Sequence, residues 1–217
     1  MQQTHLETPR VEGTAVIRNE PVQARSAARL TALLDAAAQV TAEIGYERLT
    51  TAMVADRAHA SIGTVYRYFP DRIAVLQSLA ARNTERTTGL VLAEISHSRH
   101  TEWTTALRAG FGHFVTAFRT EPGFASLRYG DVLDLRPAVG ALARQTFSDQ
   151  LFDVLVKRFA LNASAEARSA FESAVITLDA LAARAFDRDP LGDPAFLDAG
   201  RRAAEALLAP HWGAPTR

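Results

Sequence analysis

The segment TTAMVADRAHASIGTVYRYF, residues 50–69, decides the fold of the N-terminal part of this 217-residue chain. It predicts a short helix, a tight turn and a second short helix. Val54 and Val65 are spaced to bury against each other across the turn. Ser61 stands where a helix N-cap is expected, because its side-chain oxygen can accept a hydrogen bond from the amide two or three residues on. The segment therefore predicts a helix-turn-helix unit.

The second helix of this unit carries outward groups that suit phosphates and base edges. Thr64, Tyr66 and Arg67 have no evident packing role on so small a domain, so we predict that they contact DNA. Phe69 is instead expected in the core, and Tyr68 partly so. The first interpretation of the segment is a DNA-binding helix-turn-helix.

Composition excludes several other classes of protein. The chain has 24 basic and 24 acidic residues, 47% hydrophobic residues and no cysteine. The hydrophobic content can fill a sizeable core, and the lack of cysteine excludes disulfides, thiolate metal sites and cysteine nucleophiles. No apolar run fits a signal peptide or a membrane span, so we expect a soluble cytoplasmic protein. The zero net charge neither supports nor opposes DNA binding, because phosphate contact is decided locally.

The pattern along the chain predicts an all-α fold of about nine helices in two domains. We expect a flexible arm over residues 1–23, a DNA-binding domain over 24–72, a larger helical domain over 73–210 and a tail over 211–217. Arginines of the arm could reach a DNA minor groove, but nearby acids nearly cancel them, which favours a plain disordered tail.

Two helices of this pattern flank the motif. The first is predicted to begin at Ser26 and to stop at Gly45. The long helix after the motif begins near Asp71 and ends the first domain. Its predicted inward stripe consists of Ile73, Leu76, Ala80, Asn83, Thr87, Leu90 and Val91.

The motif and its flanks resemble the tetracycline-repressor (TetR) family of bacterial transcriptional regulators. The order Ser-x-Gly-Thr-x-Tyr-x-Tyr-Phe over residues 61–69, at a fixed distance after Gly45-Tyr46 and Thr50-Thr51, carries this resemblance. The resemblance implies that Thr50 caps the first helix of the motif, that Thr51 contacts a phosphate and that the second helix enters the major groove. The residues that it assigns to DNA binding are Thr50, Thr51, Ser61, Ile62, Gly63, Thr64, Tyr66, Arg67, Tyr68 and Arg72.

The chain departs from the family pattern at three positions. His59 occupies a turn position where glycine is usual, so this residue has to tolerate a positive φ, which His does better than a β-branched residue. Ala52 and Ile62 stand where some members place polar base-reading side chains. Ile62 could contact a thymine methyl group, and Arg67 is the one long donor on its helix that could address guanine.

The resemblance also implies that the C-terminal helices form a ligand chamber. An aromatic stripe at helical spacing agrees with this, although such a stripe is also typical of an ordinary core. Asn83 and Thr87 favour a chamber, because buried polar groups need partners. We expect a mainly apolar or aromatic effector with one or two polar handles. The predicted chamber residues are Asn83, Thr87, Trp103, Leu107, Phe111, Phe114, Phe118, Phe124, Arg128, Tyr129 and Phe147.

The last two helices are rich in alanine and leucine, and small residues let helices approach closely. The resemblance implies that they pair with the same helices of a second subunit. An internal core would give the same pattern in a single sequence. The predicted interface residues are Phe171, Ala174, Leu178, Leu181, Ala185, Phe196, Ala203 and Leu207.

No metal, cofactor or catalytic site is predicted. His97 and His100 offer two imidazoles near Glu94 and Glu102, but a metal site needs a third ligand and enclosure, so we interpret this stretch as a solvated helix end. The predicted function is a homodimeric repressor that binds palindromic operator DNA and leaves it when a small effector fills the chamber. An architectural DNA binder without a ligand and an enzyme built on a helical bundle remain as alternatives.

Overall fold

The computed structural model of the chain describes residues 20–125 and 146–214. Within these ranges the chain is helical, without β-strands, which confirms the all-α prediction. A 3-10 helix, Tyr46–Arg48, joins the first two α-helices, and the described ranges contain eight α-helices where about nine helices are predicted for the whole chain. The eight α-helices are α1 (Glu20–Ile44), α2 (Thr51–Arg57), α3 (Ile62–Tyr68), α4 (Arg72–Ile95), α5 (Trp103–Thr120), α6 (Phe147–Phe159), α7 (Ala165–Arg188) and α8 (Pro194–Trp212).

Side-chain caps fix the ends of the short helices. The Thr50 Oγ1 atom accepts a hydrogen bond from the Met53 amide at 3.2 Å and starts α2. The Ser61 Oγ atom accepts one from the Thr64 amide at 3.1 Å and starts α3. Both predicted caps are confirmed, and each such cap stabilises a helix by about 1 kcal/mol.

Helix α1 begins at Glu20, six residues earlier than the predicted start at Ser26. Pro21 is compatible with the first turn of a helix, because its φ is already helical and its missing N–H would have no partner there. Residues 20–23, the end of the predicted arm, are therefore helical, and residues 1–19 lie outside the described ranges. The predicted stop is confirmed at Gly45, which adopts a φ of 82°.

The described helices enclose two hydrophobic cores that share α4. The first core joins α1, α2 and α3 to the beginning of α4, with Leu33, Val54, Val65 and Leu76 fully buried. The second joins the end of α4 to the helices α5 to α8. Because α4 has 24 residues, it spans about 36 Å and connects the two cores as one continuous rod.

The predicted inward stripe of α4 is wrong at two positions. Ile73 and Leu90 leave 40% and 52% of their surface exposed, whereas Val75 and Leu79 are fully buried. The stripe assumed one inward face along the whole helix. Helix α4 packs first against α1 and later against α5 and α6, so its buried face rotates between the two ends.

Candidate DNA-binding surface and effector cavity

The turn between α2 and α3 is tight and contains a left-handed residue. His59 adopts a φ of 47°, which confirms the expectation at this departure from glycine. The Ala60 amide donates a hydrogen bond to the Ala55 carbonyl at 2.9 Å and closes the turn. Val54 and Val65 are fully buried on either side of it, so the two short helices hold a fixed angle.

The outer surface of this pair is formed by side chains from both helices. Tyr66 leaves 53% of its surface exposed, and Ile62, one turn before it, leaves 43% exposed. The Thr51 hydroxyl donates a hydrogen bond to the Tyr66 hydroxyl at 3.3 Å. Thr51 of α2 and Tyr66 of α3, both predicted to contact DNA, therefore lie side by side on one surface.

Tyr68 is turned partly toward α1. Its ring is half-buried, and its hydroxyl lies 3.2 Å from the Ser26 Oγ atom. The Arg67 guanidinium lies over the same ring, 5.5 Å from its centroid, at a distance suited to a cation–π contact. The predicted partial packing role of Tyr68 is confirmed, and its hydroxyl is also bonded to Ser26.

Two arginines of the DNA-binding domain form hydrogen bonds with other groups of the protein. The Arg72 Nη1 atom donates a 2.6 Å hydrogen bond to the Glu47 carbonyl and fastens the start of α4 to the turn before α2. Arg57 pairs with Glu43 through two hydrogen bonds of 2.8 and 2.6 Å, and these lower the pKa of that carboxyl. The predicted phosphate contact of Arg72 is left to its remaining N–H groups.

A small apolar cavity lies between α4, α5, α6 and α7. Its volume is about 40 Å³, and all of its lining residues except Asp179 are apolar or glycine. Binding pockets for drug-sized ligands usually measure about 300–1,000 Å³, so an effector has to displace some of the lining side chains. The lining residues are Val91, Ile95, Leu107, Gly110, Phe111, Phe114, Phe147, Leu151, Leu155, Val175, Leu178 and Asp179.

Four of the predicted chamber residues line this cavity: Leu107, Phe111, Phe114 and Phe147. The close approach of α4 and α5 forms one of its walls. A Cβ atom added at Gly110 would come within 2.9 Å of the Ile95 side chain, so only glycine fits at this crossing.

Three other predicted aromatic residues pack elsewhere in the core. Trp103 meets the edge of Trp212 with a centroid separation of 5.4 Å. Phe118 stacks on Phe186 at 4.7 Å, and Phe124 meets Phe118 edge-on at 5.2 Å. The stripe from Trp103 to Phe118 is about 22 Å long, so only its middle reaches the cavity. The predicted residues Arg128 and Tyr129 lie outside the described ranges.

Asn83 and Thr87 do not line the cavity either. Both are buried on the middle of α4, and the Asn83 Nδ2 atom has no hydrogen-bond partner among the described residues. The residue before Asn83, Arg82, donates a 2.6 Å hydrogen bond to Asp35 of α1. Asn83 and Thr87 lie between the α4 residues of the first core and those of the second, so they belong to the junction between the two cores.

The predicted interface also needs correction. Phe171, Ala174, Leu178 and Ala185 are at most 6% exposed because they fill the core of their own subunit. The alanine and leucine face of α7 is used to pack α7 against α8 and α5. Half-buried positions of the prediction are Leu181, Phe196 and Ala203, and Leu207 is 39% exposed.

A buried charged cluster was missed in the sequence. The Glu94 carboxylate, 8% exposed, lies 2.8 Å from the His100 Nε2 atom and 3.1 Å from the His113 Nε2 atom, and it also pairs with Arg99. Hydrogen bonds from His100, Arg99 and His113 lower the pKa of Glu94 to about 2. The interpretation of this stretch as a solvated helix end is wrong for Glu94 and His100. No group of three or more His, Cys, Asp or Glu side chains in residues 20–125 or 146–214 is arranged to hold a metal ion.

The cluster is fastened to α6 by a single arginine. Arg158 donates hydrogen bonds to the carbonyls of Ser96, His97 and His100 at 2.9, 2.6 and 2.9 Å. The loop after α4 is thus tied to the helix that carries Leu151 and Leu155 of the cavity wall. A polar residue on the inward face of a helix, such as Glu94 after Val91, was the one available signal for this cluster.

Two family models match the chain. The model for bacterial regulatory proteins of the tetR family matches residues 33–79, and the model for a tetracyclin repressor-like C-terminal domain matches residues 101–212. The second match covers just over half of the chain. The chain belongs to the tetR family.

Known members resemble the chain to different extents. The HTH-type transcriptional repressor KstR of Rhodococcus jostii (strain RHA1) is 43% identical over 54 residues, which are 25% of this chain and 26% of that protein. The chain thus matches about a quarter of the length of this curated relative. A TetR-family transcriptional regulator from Streptomyces coelicolor is 31% identical, with a TM-score of 0.73 over 86% of this chain and 98% of that one.

A more distant structure shows the fold alone. The fatty acid degradation regulator FadR from Bacillus halodurans is 20% identical, with a TM-score of 0.61 over 83% of this chain and 94% of that chain.

Membership of the tetR family makes the chain a DNA-binding transcriptional regulator and not an enzyme. No helix in the described parts of the chain is long and apolar enough to cross a membrane.

Proposed function

We propose that this tetR-family regulator is a cytoplasmic homodimeric repressor that leaves a palindromic operator when a small apolar or aromatic effector enters the cavity. The observation that carries the proposal is that α4 belongs to both sites. Val91 and Ile95 of the cavity wall lie near the end of α4, and Arg72 at its start bonds to the turn before α2.

Further contacts support a mechanical link between the cavity and the helix-turn-helix. Arg86 of α4 pairs with Glu121, just after α5, at 3.2 Å. Gly123, in the same turn, packs against α1 so closely that an added Cβ atom would lie 3.2 Å from the Ala38 carbonyl oxygen. A shift of α5 away from α4 would therefore be passed to α1 as well as along α4.

The energetic requirement on this link is modest. Coupling free energies between two ligand sites are typically about 1–3 kcal/mol, which changes affinity about 5- to 150-fold. An effector that binds only when α4 and α5 are apart shifts the population towards that arrangement, and operator affinity falls by this factor. The two recognition helices of the dimer would then be spaced badly for successive major grooves.

The cavity wall defines the chemistry expected of the effector. Rings of Phe111 and Phe114 and aliphatic side chains such as Leu151 form most of the wall, so apolar contact supplies most of the affinity. Asp179 gives the wall its single charged group. The proposed effector is therefore an apolar or aromatic compound with one polar group.

The proposed dimer uses the outward faces of the last two helices. On α7, Ile176 leaves 61% of its surface exposed, and Ser173 and Ala180 are exposed on the same side. On α8, Leu207 is 39% exposed beside exposed Ala206. Small side chains around two large apolar ones suit the close packing of four helices about a two-fold axis.

The name of KstR, a repressor, supports the direction of regulation that we propose.

The test begins with a site selected from random duplex DNA by the purified full chain. Neutral aromatic and alkyl compounds that raise the melting temperature of the protein are then added, and operator affinity is measured by fluorescence anisotropy. We expect the bound compound to weaken operator binding at least fivefold. If a saturating concentration of the compound leaves operator affinity unchanged, the ligand-responsive proposal is wrong. If the protein binds random duplexes as tightly as the selected site, an architectural binder is favoured.

A matched pair of variants ties the response to the cavity. Val175→Phe places a ring into the cavity and should abolish both compound binding and the change in operator affinity. Val154→Phe enlarges a half-buried side chain that packs against the same core without lining the cavity, and it should keep the response. A compound response that survives Val175→Phe unchanged would place the effector elsewhere.

A further inference from the structure

The surface that α2 and α3 turn outward carries exposed apolar side chains. Ile62 and Met53 each leave 43% of their surface exposed, and Ala52 is exposed beside Met53. The core of this unit does not need them, since Val54 and Val65 already fill it. In the major groove of DNA, the apolar group available to such side chains is the C5-methyl group of thymine.

The hydrogen-bonding groups around Ile62 largely satisfy one another. The Thr64 hydroxyl lies 2.9 Å from the Ser61 hydroxyl, which also caps α3. The Tyr66 hydroxyl, on the same flank as Ile62, accepts a hydrogen bond from Thr51. Arg67, which carries a long donor, is held over the Tyr68 ring on the opposite flank. A base contact by Thr64 or Tyr66 has to compete with these internal bonds, and Arg67 addresses a different part of the groove. The Ile62 side chain has no such competing bond.

We propose that Ile62 is a specificity-determining residue that contacts a thymine methyl group in each operator half-site. This inference rests on the proposed function, because it requires α3 to enter the major groove of duplex DNA. The β-branched side chain has few rotamers, so it loses little conformational freedom when it packs against a methyl group. Burial of one methyl group against it strengthens binding about fourfold, and two half-sites about fifteenfold.

The decisive experiment changes the DNA and leaves the protein intact. In the site selected by the full chain, each thymine is replaced in turn by deoxyuridine, which removes the C5-methyl group and keeps every hydrogen-bonding atom. We expect one thymine in each half-site whose replacement weakens binding about fourfold. Replacement of thymines outside the half-sites should leave the affinity unchanged.

Protein variants then assign the methyl contact to a residue. In Ile62→Ala, the same deoxyuridine should have no further effect, because its partner side chain is already gone. Ile62→Val keeps the branch at Cβ and should keep most of the methyl sensitivity. Met53→Ala removes an equally exposed apolar side chain from α2 and should leave the sensitivity of that thymine intact. Thermal unfolding of each variant reports whether the fold is retained.

The outcomes separate this inference from the function on which it rests. In one outcome, the chain selects a site, but deoxyuridine at each thymine weakens binding by Ile62→Ala as much as it weakens binding by the native protein. In that case the inference is wrong and the proposed function stands. If no thymine in either half-site is sensitive in the native protein, the inference is also wrong, whatever the variants do. If no sequence is enriched at all, the proposed operator binding fails and the inference fails with it.

Discussion

The α1–α3 bundle and the α5–α8 domain use their side chains in different ways. The bundle has a core of aliphatic residues closed by Phe69, and its short polar side chains cap helices or tie them together. The second domain has a core of aromatic rings, with Phe114, Phe118 and Phe124 in edge-on contact beside an apolar cavity. We infer that the bundle is a fixed reader of DNA, whereas the second domain can repack around a ligand by turning rings.

The two domains also place their charges differently. The ion pair of Glu43 and Arg57 lies on the surface of the bundle, where water weakens it. Glu94, near the end of α4, is instead buried together with His100 beside the second domain, and the more exposed Arg99 and His113 also bond to it. A buried pair is sensitive to the loss of either partner, so this cluster holds α4 and α5 in one arrangement. The predictions below test these differences between the two domains.

The largest expected effect separates the core of the second domain from its proposed interface. Phe171→Ala should lower the free energy of unfolding by about 3–5 kcal/mol, because its ring is buried against Phe152 and Trp212. Leu207→Ala should instead weaken self-association and change subunit stability much less. Chemical denaturation and sedimentation measure the two quantities. If Phe171→Ala has native stability but no longer dimerises, Phe171 belongs to the interface, as the sequence predicts.

The next effect concerns the buried acid. Because the pKa of Glu94 falls from 4.5 to about 2 on folding, its contribution is fully present above pH 4.5 and is lost as the pH falls toward 2. The shift corresponds to at most about 3 kcal/mol. Glu94→Gln should therefore lower stability at pH 6 and flatten its dependence on pH between 4.5 and 2.

Glu43→Gln is the matched control in the bundle. Its side chain is 57% exposed, so its pairing with Arg57 is weakened by water, and the substitution should change the acid limb of the stability curve little. Urea unfolding at several pH values compares the two variants. If both variants keep the native acid dependence, then the Glu94 cluster does not control it.

A smaller effect distinguishes two arginines of the DNA-binding unit. Arg67→Ala should cost about 1–3 kcal/mol of operator binding and relax the preference at one base position. Arg72→Ala should weaken binding to all sequences alike, because it frees the turn before α2 from α4 as well as removing a phosphate partner. Binding to single-base variants of the selected site decides between them. If Arg67→Ala lowers the affinity for all of these sequences equally, Arg67 does not read a base.

The sequence predicts the bundle well because its signals are local. The caps at Thr50 and Ser61 and the positive φ of His59 depend on residues within one or two turns. The second domain is predicted only in outline. A buried stripe such as that of α7 looks the same whether it faces its own core, a cavity or a second subunit. The Glu94 cluster was missed because His100 and His113, six and nineteen residues away, meet it only in the folded chain.

The smallest expected effect compares one left-handed residue from each domain. His59 and Ala160 adopt φ values of 47° and 51°, a region that glycine enters without steric cost. Alanine tolerates this region less well than histidine, so Ala160→Gly should stabilise the protein by about 0.5–1 kcal/mol and His59→Gly by less. Ala81→Gly, at an exposed position within α4, should instead destabilise by about 1 kcal/mol. Denaturation midpoints rank the three variants, and a loss of stability in Ala160→Gly equal to that in Ala81→Gly would show that the end of α6 carries no steric strain.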